Sequence, residues 1–423
     1  MLKKFKPKSE FSKNVLTLMT GTTIAQAIPI AISPILTRIY TPADYGLVAL
    51  FMSIATIGSI AATGRYEMAI MLPKKDTDAI NVFFLSIIIA FLMSFISLII
   101  VLLFNQNITK FLGNQDVSVW LYLVPISVLV TGVYQSLKYW NNRKKNFSDL
   151  AKNAVLQTTT GSSLNLGFGF LTLGGGGLII GNLLGQLTGA IFLGKIVLKK
   201  DKQLFIYNNH LKIMALIKRY KKLPFFNLPN ALIDTFRISG INILIAQNFT
   251  VINLGQYSLA WRMVVTPASL IGSSLSQVLF QKLSSSNKVD LYKITIKFIS
   301  KATLIAAPMY LLIYFFASDI FAFIFGENWK MAGNIASALS PWLFVNFISS
   351  PLSSIFIIIN KQEIMLIFSI LYMLIPVSIL YLFRDYAFID IIDIMAYSMG
   401  SLLILLLIVI LVMTFNIKRR YIK

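Results

Sequence analysis

The stretch INVFFLSIIIAFLMSFISLIIVLLF, from Ile80 to Phe104, runs for 25 residues without a charged side chain. An α-helix needs about 20 consecutive apolar residues to cross a bilayer, so this stretch is long enough to span one. Ser398–Phe415 is equally free of charge, and the chain of 423 residues is 57% hydrophobic and only 13% charged. Soluble domains carry about 25% charged residues. The sequence therefore predicts an all-α polytopic membrane protein, because barrel strands would give short segments of alternating polarity.

Twelve apolar spans can be counted along the chain, and all their connections are short. They lie at about 15–36, 46–66, 79–103, 118–139, 152–172, 177–198, 225–249, 254–280, 293–316, 333–359, 363–383 and 391–415. The longest connection is basic and divides the chain in half. We therefore expect an N-terminal six-helix bundle over 1–198, a basic cytoplasmic connector over 199–224 and a C-terminal six-helix bundle over 225–423.

Weak sequence matches relate the two halves. Tyr45 in PADYGLVAL corresponds to Tyr257 in LGQYSLAW, and Gly113 in KFLGN corresponds to Gly326 in AFIFGEN. Six spans per half is an even number, so both halves have the same orientation. This pattern predicts a parallel repeat about a pseudo-two-fold axis along the membrane normal, as in some transporters. Chance similarity between apolar segments is the alternative.

The net charge of +22 is explained by topology and calls for no nucleic acid. With both termini in the cytoplasm, 32 of the 38 Lys and Arg residues fall in cytoplasmic segments and 4 in external loops. This asymmetry follows the positive-inside rule. The chain has no cysteine, which excludes disulfides, thiolate metal sites and a cysteine nucleophile.

Polar side chains follow one helical face in spans 1, 2, 7 and 8, as a test at 100° per residue shows. The sets are Thr22, Gln26, Ser33 and Thr37; Ser53, Thr56, Ser59, Thr63 and Glu67; Asn227, Asn230, Asp234, Arg237 and Asn242; and Arg262, Thr266, Ser269, Ser273, Ser276 and Gln277. Such stripes either hold helices together or line a hydrated cavity. The charged members favour a cavity. Span 5, with QTTTGSSLNLGFG, is polar nearly all round, and its small residues indicate close helix packing.

The segments SPILTRIYTPADYGLVALFMSI, ATGRYEMAIMLPKKDTDAINV and GQYSLAWRMVVTPASLIGSSLSQVLFQKLS resemble bacterial polysaccharide flippases. These form the lipid-linked oligosaccharide branch of the multidrug/oligosaccharidyl-lipid/polysaccharide (MOP) exporter superfamily. The resemblance covers about Asn14 to Phe415. It implies two six-helix bundles around a central cavity lined by spans 1, 2, 7 and 8. It also implies that undecaprenyl-pyrophosphate-linked repeat units are flipped from the cytoplasmic to the outer leaflet of the bacterial inner membrane, by alternating access. The products would be O-antigen, lipopolysaccharide, capsule or exopolysaccharide.

With that resemblance, Arg237 and Arg262 become the first candidates for pyrophosphate binding, because a guanidinium fork matches phosphate oxygens. Asp234 lies three residues before Arg237, so the two can pair along one helix face. Asp234 is then either a partner released when substrate arrives, an ion-coupling site or a structural ion pair. Arg262, near the outer end of its span, alternatively reaches the interface.

Further candidates are Arg65, Arg38, Gln26 and Asn230 for the substrate and Glu67 for ion coupling. Arg65 and Glu67 would meet the substrate at the cytoplasmic face, or form an interfacial helix end. Arg38 would contact glycan on exit, or anchor the helix at the interface, and Gln26 would contact sugar, or hold helices together. The partners expected are the lipid-linked oligosaccharide, membrane lipids, the polysaccharide polymerase and other assembly proteins. No cofactor, metal or catalytic residue is predicted.

Two features of the sequence carry no predicted site, and three alternative functions stay open. The GGGG run at Gly174–Gly177 lacks the Lys-Ser/Thr of a phosphate loop, and His210, the one histidine, lies in the basic connector. The rivals are a cation-coupled multidrug exporter, a lipid II flippase and a membrane-embedded glycan polymerase or glycosyltransferase. Two arginines against one or two acids disfavour the exporter. The absence of a triad or acid pair disfavours the enzyme.

Overall fold

The computed structural model describes residues 10–422, with side chains described from residue 17 to residue 419. Within this range the chain forms helices joined by short turns, with no strand. Twelve long helices follow the twelve predicted spans in order. They are α1 (Glu10–Ile39), α2 (Pro42–Ile60), α3 (Asp76–Leu112), α4 (Val124–Arg143), α5 (Phe147–Phe170), α6 (Gly174–Asp201), α7 (Leu228–Asn248), α8 (Val251–Ser284), α9 (Leu291–Phe325), α10 (Lys330–Leu352), α11 (Gln362–Leu382) and α12 (Phe388–Ile422). The lysines before residue 10, which the topology count includes, lie outside the described residues.

Ten helices in the described part of the chain are long and apolar enough to cross a membrane. The chain is therefore a multi-pass membrane protein, as its composition predicts. Helices α5 and α7 fall below that limit because α5 carries the run QTTTGSS and α7 carries Asp234 and Arg237.

Contacts divide the chain into an N-terminal unit, Met1–Gln247, and a C-terminal unit, Asn248–Lys423. Both units carry features that the repeat predicts at equivalent positions. Tyr45 and Tyr257 are buried near the starts of α2 and α8. Gly113 and Gly326 follow α3 and α9 with φ of +69° and +102°, a region that glycine enters without steric cost. The repeat and the bundle boundary at residue 225 stay predictions.

Small residues bring α5 and α6 into backbone contact, as the composition of span 5 predicts. A Cβ atom added to Gly185 would lie 2.8 Å from Cα of Gly161 and 2.9 Å from the carbonyl oxygen of Gln157. At Gly181 it would lie 2.0 Å from Oδ1 of Asn165. Helices in a membrane gain stability from this close approach, because lipid supplies no hydrophobic drive for their association.

The turn from α1 to α2 is fixed by a capping box in the sequence TPAD. The Thr41 side chain accepts a hydrogen bond from the backbone N–H of Asp44, whose carboxylate accepts one from the N–H of Thr41. The same carboxylate accepts a bond from the N–H of Gly175, with 2.6 Å between N and Oδ1. In the GGGG run, a Cβ on Gly176 would overlap the ring of Trp120. These glycines therefore serve packing at the start of α6.

A network of charges ties the N-terminal unit together where α3 begins and α4 and α6 end. Arg143 donates to the carboxylate of Asp76 at 2.9 Å and to the carbonyl of Pro73 at 2.8 Å. Lys144 bridges Asp76 and Asp201 at 2.7 and 3.1 Å, and the indole of Trp140 donates to Asp201. Burial lowers the pKa of Lys144, and its bonds to the two carboxylates outweigh this effect and raise it. Arg143 and Lys144 of the basic sequence NRKK thus hold these helix ends together.

The segment between α6 and α7 is held by one buried side chain of α3. It forms a 3₁₀ turn (Lys202–Tyr207), a short helix (His210–Arg219) and a π-helical turn (Leu223–Asn227). The Asn81 amide donates to the carbonyl of Tyr207 at 3.0 Å and accepts from the N–H of Asn209 at 2.8 Å. The predicted connector is therefore an ordered element packed on the N-terminal unit.

In the C-terminal unit, the buried amide of Gln256 on α8 organises the start of α10. It donates to the carbonyl of Asn328 at 2.6 Å and accepts from the N–H of Ala332 at 2.9 Å. Trp342 on α10 packs against Trp261, with ring centroids 5.6 Å apart, and donates to the hydroxyl of Tyr372 on α11. These contacts join three helices around one aromatic cluster.

Candidate functional site

A cavity of about 400 Å³ lies inside the N-terminal unit, between α2, α4 and α6. Its volume falls in the range of about 300–1,000 Å³ that is common for small-molecule sites. Most of its polar lining comes from four-residue spacings along each helix. The polar residues are Thr56, Ser59, Thr63, Arg65, Glu67, Ser127, Thr131, Gln135, Tyr139, Asn182 and Gln186. The polar stripe predicted on span 2 thus faces a cavity over four of its five members.

The chain leaves the α-helix earlier than the sequence pattern predicts. Helix α2 ends at Ile60, whereas span 2 was expected to continue to about residue 66. The reason lies at Gly64 and Arg65, whose φ angles of +58° and +65° belong to the left-handed region. A non-glycine residue there costs about 1–2 kcal/mol, so the fold supports this conformation through its other contacts. The turn brings both Arg65 and Glu67 to the cavity wall.

Arg65 and Glu67 form an ion pair at one end of the cavity, with 3.7 Å between Nη1 and Oε1. The Thr63 hydroxyl donates to the other carboxylate oxygen of Glu67. The Arg65 side chain is 25% exposed, whereas that of Glu67 is only 5% exposed. An anion entering the cavity can therefore reach the guanidinium, while the carboxylate is shielded from an entering cation.

The Arg65 guanidinium also contacts the segment that leads into α7. Its Nε donates to Oδ1 of Asn227 at 3.0 Å. Further along, the Asn242 amide donates to the Ser53 hydroxyl at 3.0 Å, and the Gln247 amide donates to the carbonyl of Phe111. Helix α7 is thus attached to the rest of the N-terminal unit by a series of polar side-chain contacts.

A groove of about 280 Å³ separates α2 from α7 and adjoins the cavity at Met52 and Thr56, which line both. Asp234 and Asn242 line the α7 side of this groove, and Ser53 lines the α2 side. The stripes predicted on spans 2 and 7 therefore face each other here. Asp234 is exposed and Arg237 is half-buried.

The remaining predicted site residues lie on exposed helix surfaces. Asn230 is exposed on α7, and Gln26 and Arg38 are exposed on α1. In the C-terminal unit, Arg262 is exposed on α8. None of these four belongs to the lining of the cavity or the groove.

Hydroxyls of the other two stripes bond within their own helices. On α1, Ser33 donates to the carbonyl of Pro29 at 2.6 Å. On α8, Ser269 and Ser276 donate to carbonyls three and four residues before them. These bonds satisfy hydroxyl groups inside a membrane helix without a partner helix.

The sequence is matched over residues 35–334 by the model of one protein family, described as polysaccharide biosynthesis protein. This match covers well over half of the chain. The chain belongs to the polysaccharide biosynthesis protein family. A comparison with curated proteins finds no significant match.

Solved structures show which fold this polysaccharide biosynthesis protein has. An inward-facing multidrug resistance MATE family transporter of the MOP superfamily matches with a TM-score of 0.70 at 16% identity, over 95% of each chain. The lipid II flippase MurJ, in an inward closed conformation, matches with a TM-score of 0.68 at 14% identity, over 96% of this chain and 90% of MurJ. The resemblance to the MOP superfamily is thereby confirmed at the level of fold.

The same fold occurs with different pockets. A MOP superfamily transporter from Pyrococcus furiosus matches with a TM-score of 0.52 at 15% identity, over 96% of this chain and 95% of that one. It is described as having a binding pocket of reversed polarity that suggests a different function. The substrate of the polysaccharide biosynthesis protein must therefore be argued from its own cavity.

Two walls of that cavity in the polysaccharide biosynthesis protein lie outside the four predicted polar stripes. On α4, Ser127, Thr131, Gln135 and Tyr139 recur every four residues, and on α6 Asn182 and Gln186 have the same spacing. Residues four apart share a helix face, so this spacing is a signal that the sequence contains. The signal is weak because each helix has only one such polar residue per turn among many apolar ones.

Proposed function

We propose that this protein is a flippase for lipid-linked oligosaccharides in surface polysaccharide biosynthesis. It carries undecaprenyl-pyrophosphate-linked repeat units from the cytoplasmic to the outer leaflet of the bacterial cytoplasmic membrane, by alternating access. The observation that carries the proposal is the polar cavity of the N-terminal unit, with the accessible guanidinium of Arg65 at one end, in a member of the polysaccharide biosynthesis family.

The charge of this cavity supports a substrate with one anionic group and a large neutral part. Its lining carries one cation, Arg65, and one anion, Glu67, which is shielded and already paired. The other polar groups are neutral hydroxyls and amides. A cationic drug would meet no accessible carboxylate there. This is why the flippase is preferred to the multidrug exporter, although both share the fold.

The remaining predicted residues are candidates for binding the substrate or for ion coupling. Arg237 and Arg262 are cations for the pyrophosphate on α7 and α8, and Asn230, Gln26 and Arg38 are glycan contacts. Asp234, on the wall of the groove between α2 and α7, is the candidate for ion coupling, with Glu67 as the second. Both termini are proposed to lie in the cytoplasm. The polysaccharide polymerase and other assembly proteins are the proposed partners in the membrane.

The proposal is tested in cells depleted of this protein. The lipid-linked glycan pool is followed by mass spectrometry, and its leaflet is determined from the accessibility of the glycan to an impermeant reagent. We expect undecaprenyl-pyrophosphate glycan to accumulate on the cytoplasmic leaflet while surface polysaccharide is lost. An unchanged pool together with increased sensitivity to cationic drugs would support the exporter instead.

A further inference from the structure

The α4 and α6 walls of the cavity form a neutral surface rich in amides, which neither the family description nor the predicted site residues include. Gln135 lies on α4, and Asn182 and Gln186 lie on α6. Along α4 the polar face runs from Ser127 to Tyr139, a rise of ~18 Å at 1.5 Å per residue. The charged pair Arg65 and Glu67 lines the same cavity and lies close to Tyr139.

Two of these amides are oriented by neighbours outside or beside the cavity. The Oδ1 atom of Asn182 accepts a hydrogen bond from Nδ2 of the buried Asn165, at 3.1 Å. Both N–H bonds of the Asn182 amide are then left for a ligand. Gln186 donates from Nε2 to the Thr131 hydroxyl at 3.1 Å, which leaves its second N–H. Fixed amides of this kind bind a ligand without first losing side-chain freedom.

The third amide, that of Gln135, makes no hydrogen bond to a neighbouring helix within the described part of the chain. Within the described part of the chain, Gln135 has no hydrogen-bond partner, although it is half-buried on the cavity wall. If the amides served only to hold α4 against α6, Gln135 would be expected to reach across as Gln186 does. An amide inside a membrane protein is costly to leave unpaired, so a ligand or water must pair with it.

The chemistry of this wall fits a carbohydrate. Amide and hydroxyl groups alternate with apolar side chains such as Ile179 and Leu183 on the same wall. Sugars present neutral hydroxyls at their edges and C–H groups on their faces, and they match such a mixed surface without needing charge. A second anion or a cation would find no partner there.

We propose that the wall formed by Gln135, Asn182 and Gln186 is the subsite for the sugar next to the pyrophosphate, with Arg65 holding the phosphate end. This assignment rests on the proposed flippase function and adds to it that this wall binds the first sugar of the substrate. Two parts of one cavity would then recognise different parts of the substrate. Arg65 would bind the charged phosphate, and the three amides would bind the hydroxyls of the sugar.

The test measures binding to the purified full-length protein in lipid nanodiscs. The probes are polyprenyl pyrophosphate without sugar and the same lipid bearing N-acetylglucosamine, glucose or galactose. The variants are Gln135→Leu, Asn182→Leu and Gln186→Leu, which keep the volume and remove the amide. Gln362→Leu, at an exposed position at the start of α11, is the matched control. Thermal unfolding of each variant reports whether it folds, and Gln135→Leu breaks no bond within the described protein.

We expect the wild-type protein to bind at least one sugar-bearing lipid more tightly than the bare lipid. Each amide variant should weaken that binding about threefold to tenfold, as one lost hydrogen bond does, and leave the bare lipid unaffected. Equal binding of bare and sugar-bearing lipids by the wild type, or equal losses for both in the variants, would overturn the subsite and leave the flippase function standing. A wild type that binds none of the lipids would contradict the flippase function and the subsite together.

Discussion

The guanidinium of Arg65 lies 3.7 Å from the carboxylate of Glu67, and both line the cavity, but the Arg65 side chain is 25% exposed and that of Glu67 only 5%. The pair stands in a left-handed turn that the amino-acid sequence marks only by Gly64. If Arg65 holds the phosphate end of a substrate, Glu67 is the group with which that phosphate competes. This relationship gives two predictions that separate the roles of the two residues.

Replacing Arg65 with alanine should reduce surface polysaccharide export about tenfold to hundredfold, because a hydrogen bond to a charged group contributes about 1.5–3 kcal/mol. Arg65→Lys keeps the positive charge but lacks the planar guanidinium with its several N–H donors. Its level of polysaccharide export should therefore lie between those of Arg65→Ala and the wild type. Surface glycan per unit of membrane protein is the measurement. Arg384→Gln, an exposed cation between α11 and α12, is the control. Normal export by Arg65→Ala would remove this residue from the site.

Replacing Glu67 with glutamine should strengthen anion binding. The amide still offers an oxygen to the Thr63 hydroxyl but no longer neutralises Arg65. Inorganic pyrophosphate, titrated against the purified protein, is the probe, and we expect Glu67→Gln to bind it several-fold more tightly. Weaker binding would show that Glu67 is needed to position the guanidinium.

The close packing of α5 on α6 predicts a steric effect at one glycine and none at another. In Gly185→Ala the new methyl group meets backbone atoms of Gly161 and Gln157, which cannot turn aside. We expect a loss of about 1–3 kcal/mol, as overpacked sites show. Gly167→Ala on α5 is the matched control because no atom lies within 4 Å of its added Cβ. Thermal unfolding in detergent compares the two, and equal midpoints would contradict the packing described.

The charge network at Arg143 should contribute more to the stability of the fold than the more exposed pair of Lys200 and Asp149. Arg143→Ala leaves Asp76 with one partner fewer and frees the carbonyls of Ile70 and Pro73 among others, so we expect a loss of about 1–3 kcal/mol of unfolding free energy. This is less than for a fully buried pair because the Asp76 side chain is 38% exposed and keeps its bond to Lys144. Lys200→Ala breaks the pair with Asp149, in which the lysine is half exposed, and should cost less than about 1 kcal/mol. Unfolding midpoints of the two variants, measured side by side, decide this. Similar midpoints would mean that the network is not a stabilising element.

The absence of cysteine from the chain allows a direct test of the predicted topology. Gln115→Cys, in the loop after α3, should react with an impermeant maleimide in intact cells. Asn208→Cys, in the segment between α6 and α7, should react only after the membrane is permeabilised. The reverse pattern would invert the orientation that the positive-inside rule predicts.

Ten of the helices could be predicted from apolar runs such as Ile80–Phe104, because such a run must be about 20 residues long to cross a membrane. The more polar α5 and α7 could be predicted only from their place between such runs. Which face of a helix lines the cavity could be predicted only where polar residues follow one another closely along that face, as on α2. The α4 and α6 walls carry one polar residue per turn, and which face meets a cavity depends on neighbours distant in sequence. The turn at Arg65 was missed for a similar reason, since the apolar pattern continues past the point where the left-handed backbone ends the helix.

We propose that this cavity carries a lipid-linked glycan across the bilayer, and reconstituted vesicles allow that movement to be measured. The purified protein is placed in vesicles that hold sugar-bearing polyprenyl pyrophosphate, and the fraction of glycan open to an external glycosidase is followed over time. Wild-type protein should expose the inner-leaflet pool, while Arg65→Ala should leave it protected and Arg384→Gln should behave as the wild type. An inner pool that stays protected with the wild type would rule out flipping of this lipid, and one that Arg65→Ala exposes equally fast would rule out a role for Arg65 in it.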